Sequence, residues 1–448
     1  MPSAKRIATS TRSPEGSNMK FAFVAQGLPP VWLGQSAMFS SQIGEDGQVA
    51  QGRWLGQTAV YYRLLHGLNP DDYCLITQDY GDVSPQAYNA QSESPGKYYI
   101  LPSWLQFKRG WRFGAVRWTN IILRALEIAR IVRREKCAAV VACTSDIFDL
   151  PAAYLASRMT RTRFYPYFFD YYSHMSAGYE SSAFAHRFEP RMVKAAAGVI
   201  VTNAFMRDEL RRRYGVEAKV IHNPCDLSGY AFAQEEEDAD ETIGKSGEIK
   251  IIYTGSIYEA HYSAFRNLIA SIELLKDWNV KLHIYTTQTS DELEKHGICG
   301  PVTLFPPQSA SMMPEIQRGA DMLFFPLSFT SPYPEIVRTS APGKTGEYLA
   351  AGRPVLVHAP PDSFLAWYFR RYECGMVVDE CDSVKLASAI ETLLTDASLR
   401  HKLVANARER AQADFSIPAS QNAFMELMEL STPAIKREQP SIKCEEAS

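Results

Sequence analysis

The chain alternates short runs of β-branched and aromatic residues with longer amphipathic stretches, and it does so in two successive series. Short apolar runs are typical of strands buried on both faces, and the amphipathic stretches between them predict helices that cover a parallel sheet. Two such series predict an α/β protein with two doubly wound, Rossmann-like sheets. The length of 448 residues agrees, because it exceeds what one ordinary core organises.

The predicted strands fall into two groups. The first group lies in the N-terminal half, at residues 20–25, 72–77, 138–142, 163–169, 198–202 and 218–222. The second group lies in the C-terminal half, at residues 249–253, 281–285, 302–305, 322–325, 354–358 and 375–378.

An acidic, polar stretch separates the two groups and predicts a linker at 233–248. It contains Asp238 and Asp240, which match the DxD pattern that some glycosyltransferases use to hold a metal. A solvated linker is the favoured interpretation, because no adjacent strand fixes the pattern. The polar segments 1–18 and 433–448 predict disorder.

Composition restricts the classes of function. A formal net charge of −3 offers no general attraction to nucleic acid, so we expect no nucleic-acid partner. Eight cysteines without paired CxxC spacing favour a reducing, cytoplasmic location. We find no apolar run near the roughly 18 residues that span a bilayer.

The most informative segment is 338–357. Pro342 near a helix start, Gly352 past its end and a following apolar run predict a helix leading into a buried strand. Lys344 and Glu347 lie three positions apart and would project from one face near the helix start. A lysine beside free backbone N–H groups suits a diphosphate, and a carboxylate suits sugar hydroxyls. The segment therefore predicts a nucleoside diphosphate site that includes Thr345.

Two other interpretations of this segment are open. The run Gly343 to Thr345 suggests a phosphate loop, but the Walker pattern requires glycine where this chain has Arg338. Alternatively, Lys344 and Glu347 form an exposed ion pair on an ordinary helix.

The run from Pro342 to Val355 resembles the donor-site helix of retaining glycosyltransferases of family 4, which have the GT-B fold. In that family the lysine meets the donor phosphates and the glutamate meets the ribose, which implies these roles for Lys344 and Glu347. Gly255 and Ser256 resemble the tight turn against the donor phosphates. Phe415 and Ser416 resemble the turn before a closing helix that returns to the N-terminal domain.

The resemblance implies an acceptor domain at 19–232, a donor domain at 249–415 and a crossover helix at 416–432. Two departures concern the donor site. Many members carry a second glutamate where this chain has Thr339, and Glu335 would replace it only if the loop around it folds back. Arg266 falls near a phosphate-binding lysine of the family, and the alternative is a surface arginine.

The acceptor side is less specific. Gly27 and Arg53 with Gly56 flank a long loop after the first predicted strand, which resembles the family's glycine-rich turn; the alternative is that these glycines only permit a turn. Asp170 and His174 follow a predicted strand at the ligand-binding edge of the sheet. Resemblance implies that His174 contacts the transferred sugar, although a lone histidine is more often structural.

The resulting hypothesis is transfer of a sugar from a nucleoside diphosphate sugar to a saccharide or lipid-linked acceptor. The family resemblance implies retention of configuration. With no reliable metal pattern, we expect no metal cofactor, so that Lys344, Arg266 and the helix start stabilise the leaving diphosphate. A noncatalytic nucleotide-sugar-binding module and a sugar-nucleotide epimerase are the alternatives.

Residues 104–136 interleave Trp, Phe and Arg and continue through Arg124 and Arg130. Such residues settle at anionic membrane interfaces, so this segment predicts a peripheral membrane surface. The alternative is an amphipathic helix whose apolar face is buried in the domain.

Overall fold

The computed structural model describes residues 19–25, 56–78, 97–101, 113–144, 147–173, 182–230 and 247–430. Structural statements below refer to these residues.

The N-terminal half builds one parallel sheet of seven strands in the order β3-β2-β1-β4-β5-β6-β7. These strands are β1 Phe21–Val24, β2 Tyr73–Gln78, β3 Lys97–Leu101, β4 Ala139–Cys143, β5 Arg163–Phe168, β6 Val199–Val201 and β7 Ala218–Val220. The C-terminal half builds a second sheet of six strands in the order β10-β9-β8-β11-β12-β13. These strands are β8 Ile249–Thr254, β9 Val280–Tyr285, β10 Val302–Phe305, β11 Met322–Pro326, β12 Val355–His358 and β13 Met376–Val378.

Helices connect the strands and cover both faces of each sheet. In the N-terminal half they are α1 Gly56–Leu65, α2 Phe113–Arg134, α3 Asp149–Thr160, α4 Ser182–Ala195 and α5 Ala204–Tyr214. In the C-terminal half they are α6 Tyr262–Leu274, α7 Ser290–Glu294, α8 Met313–Arg318, α9 Pro334–Thr339, α10 Thr345–Ala350, α11 Phe364–Arg371, α12 Ser383–Thr395, α13 Ala397–Arg410 and α14 Ile417–Leu430.

Local sequence explains where α5 begins and ends. Asn203 caps its start, because the side-chain oxygen accepts a hydrogen bond from the Met206 N–H at 3.0 Å. Gly215 ends it in the left-handed conformation with φ +67°, where glycine carries no steric penalty. These two signals place the helix directly after β6, so that the cap residue lies at the edge of the sheet.

The predicted α/β class with two doubly wound sheets is confirmed, and each of the twelve predicted runs overlaps a strand. The sequence interpretation missed β3, which pairs with β2 at the edge of the first sheet. Its side chains are mostly exposed or half-buried. An edge strand with a solvated face lacks the continuous apolar signal of the central strands.

The C-terminal helix α14 returns to the first sheet, as the family resemblance implied. Phe424 is buried there with its ring centroid 5.5 Å from that of Phe21. Cys225, at the end of the N-terminal half, forms a parallel bridge with Ser416 just before α14. The chain therefore crosses between its halves twice, side by side. The predicted linker at 233–248 lies almost entirely outside the described residues, and the domain boundaries stay predictions.

Candidate functional site

The carboxyl ends of parallel strands carry the ligand-binding loops of doubly wound sheets. In the C-terminal half, β8 ends at Thr254 and is followed by Gly255. The side chain of Lys344, which directly precedes α10, reaches this strand end. The candidate site is built around this meeting point.

Lys344 donates a hydrogen bond from Nζ to the carbonyl oxygen of Thr254 at 2.5 Å. Its ammonium also lies 3.9 Å from the ring centroid of Tyr253. Burial lowers the pKa of Lys344 to about 7, although the nearby Glu347 carboxylate acts in the opposite direction. The site thus holds a lysine whose protonated form an anionic ligand would stabilise.

Gly255 is required by this arrangement. Its φ of +124° is one that side-chain-bearing residues rarely adopt. A Cβ atom at this position would lie 2.8 Å from Nζ of Lys344. The neighbouring Ser256 is exposed, and its carbonyl accepts a hydrogen bond from the Tyr253 hydroxyl at 2.8 Å.

Helix α10 spans only six residues, Thr345–Ala350, so its dipole is smaller than that of the longer helix predicted from the sequence. Thr345 is buried, and its hydroxyl donates to the Pro342 carbonyl at 2.6 Å, which closes the turn before the helix. The hydroxyl proton of Thr345 is therefore already donated within the protein.

Glu347 lies in the first turn of α10 with its side chain 17% exposed. Its Oε1 atom lies 3.1 Å from Nη2 of Arg63, which belongs to α1 of the N-terminal half. Among the described residues, no donor hydrogen-bonds to its Oε2 atom. One carboxylate oxygen is thus held by Arg63, and the other has no hydrogen-bond donor among the described residues.

His261 is a site residue that the sequence interpretation missed. It precedes α6, is 7% exposed and lies beside Tyr253 and Tyr258, with ring centroids 6.1 and 4.3 Å away. Its Nδ1 atom has no hydrogen-bond partner among the described residues. Burial, with a smaller contribution from the Lys344 charge, lowers its pKa to about 3, so the imidazole is neutral. No motif surrounds this histidine, so only the fold reveals its position.

Asp170 lies two residues after the end of β5 in the first sheet. Its carboxylate is solvent-accessible, but the surrounding protein raises its pKa by desolvation. Tyr258 is partly exposed, but desolvation by the surrounding protein also raises its pKa, and the negative charge of Asp170 adds to this effect. Asp170 and Tyr258, one from each half of the protein, are therefore close enough for their charges to interact.

The position of the family's second glutamate is occupied differently. Thr339 is buried at the end of α9, and its hydroxyl donates to the Glu335 carbonyl at 2.9 Å. The Glu335 carboxylate is half-exposed and lies 3.9 Å from Arg338. Glu335 could take the place of a glutamate at position 339 only if it lay on a loop that folds back. Residues 334–339 form a helix instead.

Arg266 is exposed on α6 and donates to the His296 carbonyl at 3.1 Å. Its side chain also packs over Gly297. Among the described residues its contacts are with this turn, and none joins it to Lys344.

Several predicted residues cannot be placed. Gly27, Arg53, His174, Asp238 and Asp240 lie outside the described residues, while Gly56 begins α1. In the described part of the chain, no group of three or more histidine, cysteine, aspartate or glutamate side chains could hold a metal ion.

The predicted membrane segment 104–136 is described only from Phe113 onward, as α2. Arg124 does not belong to its basic surface, because it is buried and its Nη1 lies 2.7 Å from Oδ1 of Asp149. Trp118, Ile122 and Leu126 are exposed. Throughout the described ranges, no helix combines the length and apolar character needed to cross a bilayer.

Two family models match the chain: Glycosyltransferase Family 4 matches residues 56–228 and Glycosyl transferases group 1 matches residues 248–396. No curated protein matches significantly.

Solved structures resemble almost the whole chain. HepE of Anabaena in complex with UDP-glucose is 14% identical, covers 92% of this chain and 100% of its own, and has a TM-score of 0.58. Sucrose-phosphate synthase of Thermosynechococcus elongatus is 14% identical over 92% of this chain and 98% of its own, with a TM-score of 0.60. A glycosyltransferase from Rickettsia africae is 13% identical, covers 94% of this chain and 100% of its own, and has a TM-score of 0.60.

At these identities the structural likeness establishes the fold, which is the GT-B arrangement of two Rossmann-like sheets. The two family models together match more than half of the chain. The protein therefore belongs to the glycosyltransferases of the GT-B fold that resemble family 4.

Proposed function

We propose that the protein transfers a sugar from a nucleoside diphosphate sugar, whose diphosphate binds at Lys344 and whose ribose binds at Glu347. The position of the Lys344 ammonium carries the proposal. It lies at the end of β8, 2.5 Å from the Thr254 carbonyl oxygen and next to Gly255. An anion placed there would gain a charge-assisted hydrogen bond from a cation that is already positioned. The UDP-glucose complex of HepE supports the choice of donor class.

The leaving diphosphate carries the charge that develops during transfer. Lys344 and a neutral N–H of His261 are the described groups proposed to receive it, without a metal. Arg266 is not included, because its guanidinium binds the turn at His296. The family resemblance supports the further proposal that the anomeric configuration is retained. Product analysis by NMR, with and without a chelator, tests both points.

Saturation-transfer NMR against UDP-, GDP- and ADP-sugars tests donor binding directly. We expect selective binding by the unmodified protein and its loss in Lys344→Met. Lys276→Met, which removes an exposed lysine after α6, is the matched control and should bind normally. Absence of binding to every nucleotide sugar would exclude the proposed donor site.

A noncatalytic binding module is the second candidate, and Thr339 at the position of the second glutamate favours it. Such a module would bind the donor without consuming it. Slow hydrolysis of the bound nucleotide sugar, measured as release of free nucleotide, distinguishes the enzyme from the module.

For the acceptor we propose a saccharide or a lipid-linked saccharide presented at an anionic membrane. The proposal is supported by an exposed apolar stripe on α2, formed by Trp118, Ile122 and Leu126 at intervals of four residues. Arg130 and Arg133 continue the same helix as exposed cations. Phosphatidylglycerol vesicles should carry the protein in flotation at low salt, and phosphatidylcholine vesicles should not.

The double substitution of Ile122 and Leu126 by serine should abolish flotation. The same change at Leu274 and Val384, which are exposed elsewhere, is the control and should have no effect. Equal flotation of both variants would remove the membrane proposal.

A further inference from the structure

The segment that carries the donor site is held by side chains of the other half of the protein. Asn203 donates from Nδ2 to the Thr339 carbonyl at 2.9 Å, and Asn223 donates from Nδ2 to the Ala341 carbonyl at 2.9 Å. Arg63 binds Glu347 at 3.1 Å. We call Arg63, Asn203 and Asn223 the N-terminal clasp.

All three side chains of the clasp are buried. Buried hydrogen bonds are maintained in the folded state because an unpaired partner would pay the full cost of desolvation. The clasp therefore fixes the stretch from Thr339 to Glu347 relative to the first sheet.

Arg63 differs from the two asparagines because it contacts a side chain of the donor site. It is 7% exposed, and its Nη1 also donates to the Pro224 carbonyl at 3.2 Å, where the chain leaves the first sheet. Its own carbonyl accepts from Gln421 of α14 at 3.4 Å. The guanidinium is therefore held through its two Nη atoms, one by the Pro224 carbonyl and the other by Glu347.

We propose that Arg63 is a positioning residue that holds the Glu347 carboxylate in the orientation that binds the donor, so that the N-terminal half sets donor affinity. The inference rests on the proposed function. A carboxylate with one oxygen bound to Arg63 presents its other oxygen in a defined direction, which reduces the side-chain entropy lost when the ribose binds. Arg63 touches no reacting atom, so its effect falls on binding rather than on the chemical step.

The experiment compares Arg63→Met, Arg63→Lys and Arg400→Met in the full chain. Arg400 is a buried arginine whose Nη1 donates to the Leu393 and Leu394 carbonyls, and it controls for general loss of structure. Titration calorimetry measures the dissociation constant of the nucleotide sugar that the unmodified protein selects, and steady-state kinetics separate KM from kcat. Thermal unfolding reports stability.

We expect Arg63→Met to weaken donor binding by about tenfold, because the freed Glu347 side chain must then lose its rotamer freedom when the ribose binds. KM for the donor should rise while kcat stays close to its original value. Arg63→Lys should restore part of the affinity, because it keeps the charge but loses the two-point contact. Arg400→Met should lower the unfolding temperature without changing donor affinity.

Donor affinity unchanged in a folded Arg63→Met variant overturns the inference, while binding by the unmodified protein still supports the proposed function. Failure of the unmodified protein to bind any nucleotide sugar defeats the proposed function itself, and the inference with it. If Arg63→Met does not fold, Arg63→Lys decides the question. Unchanged affinity in that variant contradicts the inference, because lysine cannot reach both Pro224 and Glu347 as arginine does.

Discussion

Lys344 and Tyr253 form a cation–π pair at the end of β8, with the ammonium 3.9 Å from the ring centroid. The aromatic face and the Thr254 carbonyl both stabilise the protonated lysine, but burial is the larger effect and lowers its pKa to about 7. Near neutral pH, Lys344 is therefore a mixture of the protonated and the neutral form. A ligand that favours one of these two forms will change the protonated fraction of Lys344.

Donor binding should take up protons at pH 8. Above pH 7 a growing fraction of Lys344 is neutral in the free protein, and a bound diphosphate raises its pKa and restores the charge. Calorimetry in buffers of different ionisation enthalpy should detect uptake approaching about one proton for each donor bound. Affinity should fall as pH rises above about 7. Equal binding enthalpies in all buffers would contradict this role for Lys344, and Lys344→Met supplies the control.

Substitution of Gly255 by alanine should disrupt the donor site. The new Cβ would lie 2.8 Å from Nζ of Lys344, and a φ of +124° strains any residue with a side chain. We expect a loss of about 1–3 kcal/mol in the free energy of unfolding and greatly weakened donor binding. Gly215→Ala is matched, because it also has positive φ but nothing within 4 Å. The Gly215→Ala variant should lose stability but keep its donor affinity. Equal donor affinity in both variants would refute the prediction.

Gly346→Ala should weaken the junction between the two halves. A Cβ there would approach the Cβ atoms of Cys225 and Phe415 to 2.6 and 2.9 Å, where the two chain crossings meet. Overpacking of this kind costs roughly 1–3 kcal/mol, measured as the free energy of unfolding in urea. Gly343→Ala, three positions earlier, meets nothing within 4 Å and should change stability by less than about 0.5 kcal/mol. Similar values for the two variants would show that the junction tolerates movement of α10.

Stability should fall on mild acidification. Burial lowers the pKa of His261 to about 3 and of His358 to about 4, so both remain neutral in the folded state while the unfolded chain takes up protons below about 6.5. The unfolded state binds more protons in this range, and the free energy of unfolding therefore decreases as pH falls from 6.5 towards 4.

Urea unfolding at pH 7 and pH 5 measures this slope. The pH range between 5 and 7 reports on histidines rather than on carboxylates. The pKa values of the paired carboxylates Glu135 and Glu209 are lowered to about 2, so their contribution to the free energy of unfolding is lost only below about pH 4.5. Replacing His261 with glutamine should make the slope shallower. An unchanged slope would indicate that His261 is not buried as a neutral group.

The sequence predicted the architecture, and it singled out Lys344 and Gly255, which the structure brings together in the candidate site, for one reason: both depend on local signals. Buried strands appear as apolar runs, and the start of α10 is marked by proline and glycine around Lys344. The edge strand β3 escaped detection because its solvated face breaks the apolar run.

The clasp could not be predicted in this way. Arg63 and Glu347 are 284 positions apart, and Asn203 lies 136 positions from the residue it binds. Nothing in the local sequence of α1 specifies a partner in the other half. His261 is similar, since its place beside Lys344 follows from the packing of α6 against β8 and not from a motif.

The return of α14 to the first sheet has a consequence for how the protein is made. Phe424 and Met428 complete a core that also contains Phe21, and Leu427 lies 3.0 Å from the Cβ position of Gly198. Phe21 and the strands of its sheet leave the ribosome long before α14 is translated, so the nascent N-terminal half exposes apolar surface until α14 has emerged. The core of the half that is synthesised first is therefore completed only after the second half has been made, and its apolar surface is open to aggregation until then.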